Sequence, residues 1–467
     1  MRRLQNWNEQ INFSVPENNF KTPDNISEIQ TIVKNAHDNN QKISVIGAMH
    51  STTECMVGDG CIISLKNMNR ILLIDRINEY VTVEAGVTLT QLSQALKTAD
   101  LQPPVNLEFG NYHIGAISGA HANDTSLTRK SQFSSFVIGV KLVTANGDLL
   151  EVSESSNSEL LPFVRSHFGL LGVICEISIR IFENEPIFIT AKIDNIDHLV
   201  ENFDEEIETL KTNQDQAFGM LFPYSRNILW ECRKFVDKDT ATQRSRLKII
   251  IDLVQAKGSR WSTDLLLPIL KIITKISTIF NASSLLDKLL SSSIIEKSLK
   301  LFRMGGYIIN PCDRGLVYKE SGAGFDFYDW LFPEDQWSNM LCDFLQLCEK
   351  FRNERGFVLS LPTLVYFVKK DDSSILSRSR KSDMMTIDPT FPNPENNNWR
   401  SFRLEFNKIA LSHNGIPHIN KTRDGAIHHF ADTIDSRNKN KYLKKRKELD
   451  PNNLFLNDYF KQLFRIA

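Results

Sequence analysis

His50 and Ser51 close the stretch Ile43-Ser44-Val45-Ile46-Gly47-Ala48-Met49-His50-Ser51, where a β-branched run suited to a buried strand breaks at Gly47 into a short turn. Small residues in such a turn let several backbone N–H groups converge on one anion, which holds a diphosphate without charged side chains. A plain Gly turn between a strand and a loop reads the same, so the stretch needs support from elsewhere. Two further segments supply it. Gly110-Asn111-Tyr112-His113-Ile114-Gly115-Ala116-Ile117-Ser118-Gly119-Ala120-His121 is rich in small residues, and Phe168-Gly169-Leu170-Leu171-Gly172-Val173-Ile174 again runs from a Gly turn into an apolar strand. Three small-residue loops beside strands within residues 1–185 favour one extended, phosphate-bearing cofactor.

The elements that must position these loops alternate between helix and strand. Ile26, Ile29, Ile32, Val33 and Ala36 share one helical face, and Asn25 with Glu28 predicts a capping box at its start. Strands are expected at Ile62–Leu65, Ile71–Asp75 and Tyr80–Ala85, with a helix from about Leu89 to Ala99 and an irregular stretch over 110–121. Phe136–Val143 and Leu149–Val152 predict a hairpin turned at Asn146-Gly147. Beyond Phe182 the texture changes. Strands at Pro186–Ile193, Phe218–Pro223 and Asn227–Cys232, with a helix at Leu199–Leu210, give the antiparallel pattern of a substrate or cap domain. The fold class is α+β. Further strands are expected at Phe357–Val368 and Phe402–Phe406, and the basic run Lys441–Lys447 reads as a solvated helix face.

Residues 240–302 are unusual. Leu265–Phe280 is almost wholly apolar apart from Lys271 and Lys275, and Leu285, Leu286, Leu289, Leu290, Ile294, Ile295 and Leu299 continue the theme at helical spacing. Pro268 and the lysines argue against a membrane span. A helical insertion packing in the cap or forming a homodimer contact is one reading, and a peripheral membrane contact through 265–299 is the other.

The chain has 467 residues, 41% of them apolar, enough for two or three domains with sizeable cores. Its 55 Lys and Arg nearly cancel 56 Asp and Glu, so no net field favours nucleic acid and a small-molecule substrate is expected. Seven scattered cysteines lack the paired short spacings of a zinc site and read as reduced; no metal is expected. The first residues carry Arg2 and Arg3 with no apolar stretch behind them, unlike a signal peptide. A cytoplasmic enzyme, membrane-associated if 265–299 binds lipid, is the expectation.

Together the three loops resemble the FAD-binding (PCMH-type) module of the vanillyl-alcohol oxidase superfamily, and within it the aldonolactone and alditol oxidases of the gulonolactone-oxidase type. The likeness rests on Gly47-Ala48-Met49-His50-Ser51, Gly115-Ala116-Ile117-Ser118-Gly119-Ala120-His121 and Gly169-Leu170-Leu171-Gly172-Val173-Ile174, in that order. It implies two α/β subdomains clasping FAD over residues 1–185, a substrate domain over 186–430 and a segment, 431–467, that returns to the FAD domain. Ile46 to Ser51, Gly110, Gly115, Ser118, Gly119 and His121 would lie along the cofactor, with its adenine end near Gly172, Val173 and Ile174. His50 would carry the flavin covalently through its 8α-methyl, which a neutral imidazole nitrogen can attack; a non-covalent hydrogen bond from the same loop is the alternative. The second motif is one small residue shorter than in relatives, and Ala122 stands where they have Gly. Ser118 would hydrogen-bond near the flavin N5 or the substrate hydroxyl, or else serve only the turn.

The resemblance also reaches the C-terminal half. Gly415-Ile416-Pro417-His418-Ile419-Asn420-Lys421 is similar to the family's His-Trp-x-Lys motif with Ile419 for the Trp. It implies that Lys421 supplies the cation that stabilises negative charge at the flavin N1–C2 carbonyl, with His418 supporting the loop or acting as a base. Relatives carry a Glu and an Arg two residues apart on a strand facing the flavin, where this chain has Leu364 and Tyr366. Loss of both charges points to a substrate less polar than a simple aldonolactone. Tyr366 is then an acid/base candidate, or else a strand aromatic in the core. The expected reaction is hydride removal from a C–H bearing a hydroxyl, with O2 as acceptor. A dehydrogenase passing electrons to a quinone or protein and a catalytically altered FAD-binding protein are the alternatives.

Overall fold

A computed structural model describes residues 1–239, 306–314 and 325–466. Both readings of 265–299 and the helical insertion at 240–302 lie outside the described residues.

The Ile43–Ile46 strand is half of a βαβ unit. Phe20–Lys21, Cys61–Ser64 and Ile43–Ile46 form a parallel sheet in that order, and the helix Ile26–Asp38 buries Ile29, Val33 and Ala36 against it. Asn25 Oδ1 accepts the Glu28 N–H at 3.0 Å, while the Glu28 carboxylate takes the N–H of Asp24 rather than that of Asn25. The expected box is therefore shifted by one donor, and the helix end is still satisfied. A second, antiparallel sheet orders its strands Leu149–Ser153, Val137–Val143, Val173–Arg180, Tyr80–Glu84 and Ile71–Asp75. The hairpin turns where expected, with Gly147 at φ 79°, and the helix Leu89–Thr98 starts with a full capping box from Thr88 and Gln91.

The remaining chain builds one antiparallel sheet of eight strands from Tyr307–Ile309, Ile187–Asn195, Asn227–Phe235, Gln216–Phe222, Thr363–Val368, Met384–Ile387, Trp330–Pro333 and Ile416–Pro417. Helices Glu334–Arg355 and Asn397–Ser412 bury Trp337, Phe344, Trp399 and Phe402 in a core shared with that sheet. The molecule is thus α+β, a helix-and-sheet module built on two sheets beside an antiparallel sheet domain. Among the described residues no helix is long and apolar enough to cross a membrane.

Several elements differ from expectation for identifiable reasons. Phe402–Phe406 is not a strand but the middle of Asn397–Ser412, whose buried positions Trp399, Phe402, Arg403, Phe406, Asn407 and Ala410 keep helical spacing. The expected Leu199–Leu210 helix is two, Ile196–Glu201 and Phe203–Asn213, broken at Asn202. Only Thr363–Val368 of the 357–368 segment is a strand, because Pro362 precedes it. Within the stretch expected to be irregular, Ile114–Gly119 is a short helix. A Cβ on Gly115 would lie 2.7 Å from that of Ala85, so glycine lets this helix touch the sheet.

The basic helix Ser436–Leu449 is only partly solvated. Its Tyr442 and Arg446 are buried, and Tyr442 donates through Oη to the His167 carbonyl at 3.0 Å. Asp450 follows, fully buried, accepting the N–H groups of Leu454 and Phe455; the Leu454 carbonyl in turn takes the Ile43 N–H at 2.8 Å. The C-terminal segment therefore clamps both the Ile43–Ile46 strand and the third loop. Tyr442→Phe removes one buried hydrogen bond and leaves a carbonyl unpaired, so urea unfolding should show a loss of about 1–3 kcal/mol. An unchanged midpoint would mean that this tie carries no stability.

Candidate active site

The turn after Ile43–Ile46 is held open by two distant pieces of chain. The Trp7 N–H donates to the Met49 carbonyl at 3.1 Å, Asn6 Nδ2 to the Ser51 carbonyl at 2.9 Å, and Asn420 Nδ2 to Ser51 Oγ at 2.9 Å. Met49 sits at φ 55°, a left-handed conformation that costs a side-chain-bearing residue of order 1–2 kcal/mol and persists only where its surroundings enforce it. The N–H groups of Gly47, Ala48, Met49 and Ser51 donate to no carbonyl among the described residues. Gly47 also backs onto the Ile114–Gly119 helix so closely that a Cβ there would stand 2.7 Å from that of Ala116.

The other two loops are stitched to each other. Ser166 and Phe168 donate their N–H groups to the carbonyls of Ser118 and Gly119 at 3.1 and 2.6 Å, and both adopt positive φ, 58° and 55°. Gly172 adopts φ 145°, where a Cβ would strike the Val143 carbonyl at 2.5 Å. All three loops open onto one cavity of about 310 Å³. Ile46, Gly47, Ala48, Met49, His50, Ser51, Gly115, Gly119, His121, Gly172 and Ile174 line it, and so do Tyr366, His418 and Lys421 from the sheet domain. Gly110, Ser118 and Val173 lie behind the lining. Gly110 offers its carbonyl to Thr90, and Val173 pairs with Val143 in the sheet. The Ser118 hydroxyl is buried without a hydrogen-bond partner among the described residues and off the cavity wall, because its helix turns Gly115, Ala116 and Gly119 towards the cavity instead.

His50 is fixed as a neutral base. Nε2 donates to Asn111 Oδ1 at 2.9 Å, and the ring stacks on Phe109 and meets the edge of Tyr112. Burial lowers its pKa to about 4, the Asn111 bond opposing, so Nδ1 keeps a lone pair at neutral pH. His121 donates Nε2–H to the Leu376 carbonyl and is lowered to about 3, by burial first and by Arg378 second. His167 is lowered to about 4 by burial alone.

Beside Lys421 lies a charged group that inspection of the sequence missed. Lys421 Nζ stands 3.5 Å from Asp329 Oδ2 and 3.4 Å from Asp388 Oδ2, near the rings of Phe327 and Tyr366. Asp329 also accepts Tyr366 Oη–H and, at 2.8 Å, an Arg378 N–H. Burial opposes the Lys421 charge, but Asp388 and Asp329 more than restore it, so the pKa rises and the ammonium persists. Burial raises the Asp388 carboxyl, Lys421 opposes, and Asp329 adds to the rise. His418 stays neutral, its pKa driven well below 6.5 by burial and then by Arg378 and Lys421, and its Nδ1 accepts the Asn420 N–H at 3.0 Å. An Asp inside an aromatic run, as in Phe325-Asp326-Phe327-Tyr328-Asp329-Trp330, was the available signal, since a buried carboxylate must be paired. Among the described residues no cluster could hold a metal ion.

Comparison with known proteins decides the family. A family model described as an FAD binding domain matches residues 19–153, and the model of D-arabinono-1,4-lactone oxidase matches residues 177–463. The chain belongs to the D-arabinono-1,4-lactone oxidase family. It is similar to L-gulonolactone oxidase of Mus musculus, 24% identical over 474 residues that cover 99% of this chain and 98% of that one. An L-gulono-1,4-lactone dehydrogenase of Mycobacterium tuberculosis is 22% identical over 94% of both chains. A cholesterol oxidase from Brevibacterium sterolicum shares the fold, with TM-score 0.76 at 14% identity over 99% of this chain and 96% of that one. As a member of this family the protein is an FAD-dependent oxidoreductase acting on CH–OH groups. The cavity suits that cofactor: the N–H groups of Gly47, Ala48, Met49 and Ser51, which meet no carbonyl among the described residues, fit a diphosphate, and small residues at 47, 48, 115 and 119 leave room for a long flat ligand.

The neutral buried histidines make stability depend on pH. Unfolded histidines titrate near 6.5, whereas His121 and His167 titrate near 3 and 4 in the fold. Between about pH 6.5 and 4 the unfolded chain binds protons that the fold refuses, so stability is complete above pH 6.5 and is lost as pH falls. The slope is about 1.4 kcal/mol per pH unit for each ring. Urea unfolding at about pH 7.5 and 5 should show this loss; equal stability at both would contradict burial of neutral rings.

Proposed function

We propose that this protein oxidises a secondary or primary alcohol carbon on a small ring substrate less polar than a simple aldonolactone, with O2 as electron acceptor. The observation that carries the reading is Lys421, kept cationic by two buried carboxylates at the wall of the same cavity that the three loops enclose. Leu364 and Tyr366 stand where the family's charged strand pair is expected, and Trp7, Phe218 and Phe327 extend the apolar wall. Those surfaces favour a ring face over a chain of hydroxyls.

FAD, when bound, supplies the hydride acceptor. Tyr366 lines the cavity and its Oη–H is hydrogen-bonded to Asp329, so it would take the substrate hydroxyl proton as its own passes to the carboxylate. Lys421 holds positive charge where negative charge builds up, in a site sheltered from water. His418 and Thr422 fix the Lys421 loop: the His418 N–H donates to the Asp329 carbonyl at 3.1 Å, and Thr422 Oγ1 donates to the same oxygen. His50, neutral and tied through Nε2 to Asn111, offers Nδ1 as the nucleophile for covalent attachment of the flavin.

Lys421→Met should slow anaerobic flavin bleaching by an alcohol about 100-fold or more while the protein stays yellow; bleaching at the unaltered rate would remove Lys421 from the reaction. After acid denaturation, colour should remain with the unaltered chain and leave it in His50→Ala. Free flavin from the unaltered chain would refute the tether. Because relatives include both oxidases and dehydrogenases, reoxidation of the bleached protein in air against a quinone separates the two acceptors.

A further inference from the structure

Asp329 and Asp388 are answered by Arg378 and Lys421, and Asp124 by Arg233 and Arg314, so these carboxylates on or just behind the cavity wall already have partners. Glu108 does not. It faces the cavity, its side chain accessible there, and makes no hydrogen bond or ion pair with any described residue. The loop that presents it is anchored on both sides. Leu107 is buried, Phe109 stacks on His50 and contacts Trp7, and the carbonyls of Gly110 and Tyr112 take the N–H groups of Thr90 and Leu89. This rigid support holds an exposed carboxylate, without a partner among the described residues, at the wall of the cavity. Lys421 lines the same cavity and is the charge that acts most strongly on Glu108, which sets the two groups on one compartment.

We propose that Glu108 is a specificity-determining residue, accepting a hydrogen bond from a second substrate hydroxyl next to the carbon that is oxidised. The inference rests on the oxidation reading above and narrows its substrate class to ring alcohols carrying a vicinal hydroxyl on one edge and an apolar face on the other. Trp7, Phe327 and Leu364 receive the apolar face, and Glu108 takes the free hydroxyl. A carboxylate supplied by the FAD-domain loop thereby compensates for the one absent from the Thr363–Val368 strand.

The test titrates the FAD-loaded protein with cis-1,2-cyclohexanediol and with cyclohexanol, reading the flavin absorbance for binding and anaerobic bleaching for turnover. The diol should bind about 10- to 100-fold tighter than the mono-alcohol, the range expected for a hydrogen bond to a charged group. Glu108→Leu should abolish that preference by raising the diol Kd alone, and Glu108→Gln, which keeps an acceptor oxygen, should restore part of it. Equal binding of the two alcohols by the unaltered protein, or an undiminished preference in Glu108→Leu, overturns the proposal. So does 2-aminocyclohexanol binding more than about 10-fold tighter than the diol, which would make the ligand an ammonium. Glu108-dependent binding without bleaching upholds the Glu108 contact and overturns the oxidation reading instead.

Discussion

The Asp329 carboxylate is the point from which the catalytic end of the cavity is held. It takes the Tyr366 phenol and the Arg378 guanidinium, and Lys421 stands within 3.5 Å of it. Its backbone carbonyl at the same time receives the His418 N–H and Thr422 Oγ1. One fully buried residue thus fixes side chains from the Thr363–Val368 strand, the 374–379 loop and the 418–422 loop. Buried ion pairs contribute little net stability, because desolvation offsets attraction, but removing one partner costs about 3–5 kcal/mol. The group is better understood as a device for geometry. It keeps a lysine charged and aimed in a place where an isolated ammonium would lose its proton.

The cofactor end is held by backbone strain instead of charge. Positive φ at Met49, Ser166, Phe168, Gly169 and Gly172 bends the first and third loops sharply, and hydrogen bonds from Trp7, Asn6, Asn420 and Tyr442 keep the bends from relaxing. These ties come from residues 6 and 7, the Lys421 loop and the Ser436–Leu449 helix, all remote in sequence from what they hold. The same Asn420 that secures Ser51 lies next to Lys421, so the two ends of the cavity share a support.

This division explains what could be read in advance. Glycine and β-branched patterns are local, so the strand at 43–46, the hairpin at Asn146-Gly147 and the three loops were legible as elements that could share one ligand. Partners of a buried charge are not local. Nothing in Ser374-Ile375-Leu376-Ser377-Arg378-Ser379 distinguishes Arg378 from a solvated loop arginine, yet it is 2% exposed and bonded to Asp329. The helix at Asn397–Ser412 was misread because Phe402-Arg403-Leu404-Glu405-Phe406 alternates as a strand would over five residues, and only the longer window shows period 3.6.

Leu364 and Tyr366 leave the Thr363–Val368 strand without charge where it borders the cavity, and the charges there come from other elements. Lys421 is cationic because Asp388 and Asp329 border it, Arg378 enters from a loop to balance Asp329, and the exposed Glu108 carboxylate lines the same cavity from the FAD-domain loop. The strand then offers an apolar face and a phenol, and polar recognition passes to the loops around it. The charge pattern of this cavity therefore follows from where buried partners anchor its loops, and the strand sequence alone does not reveal it.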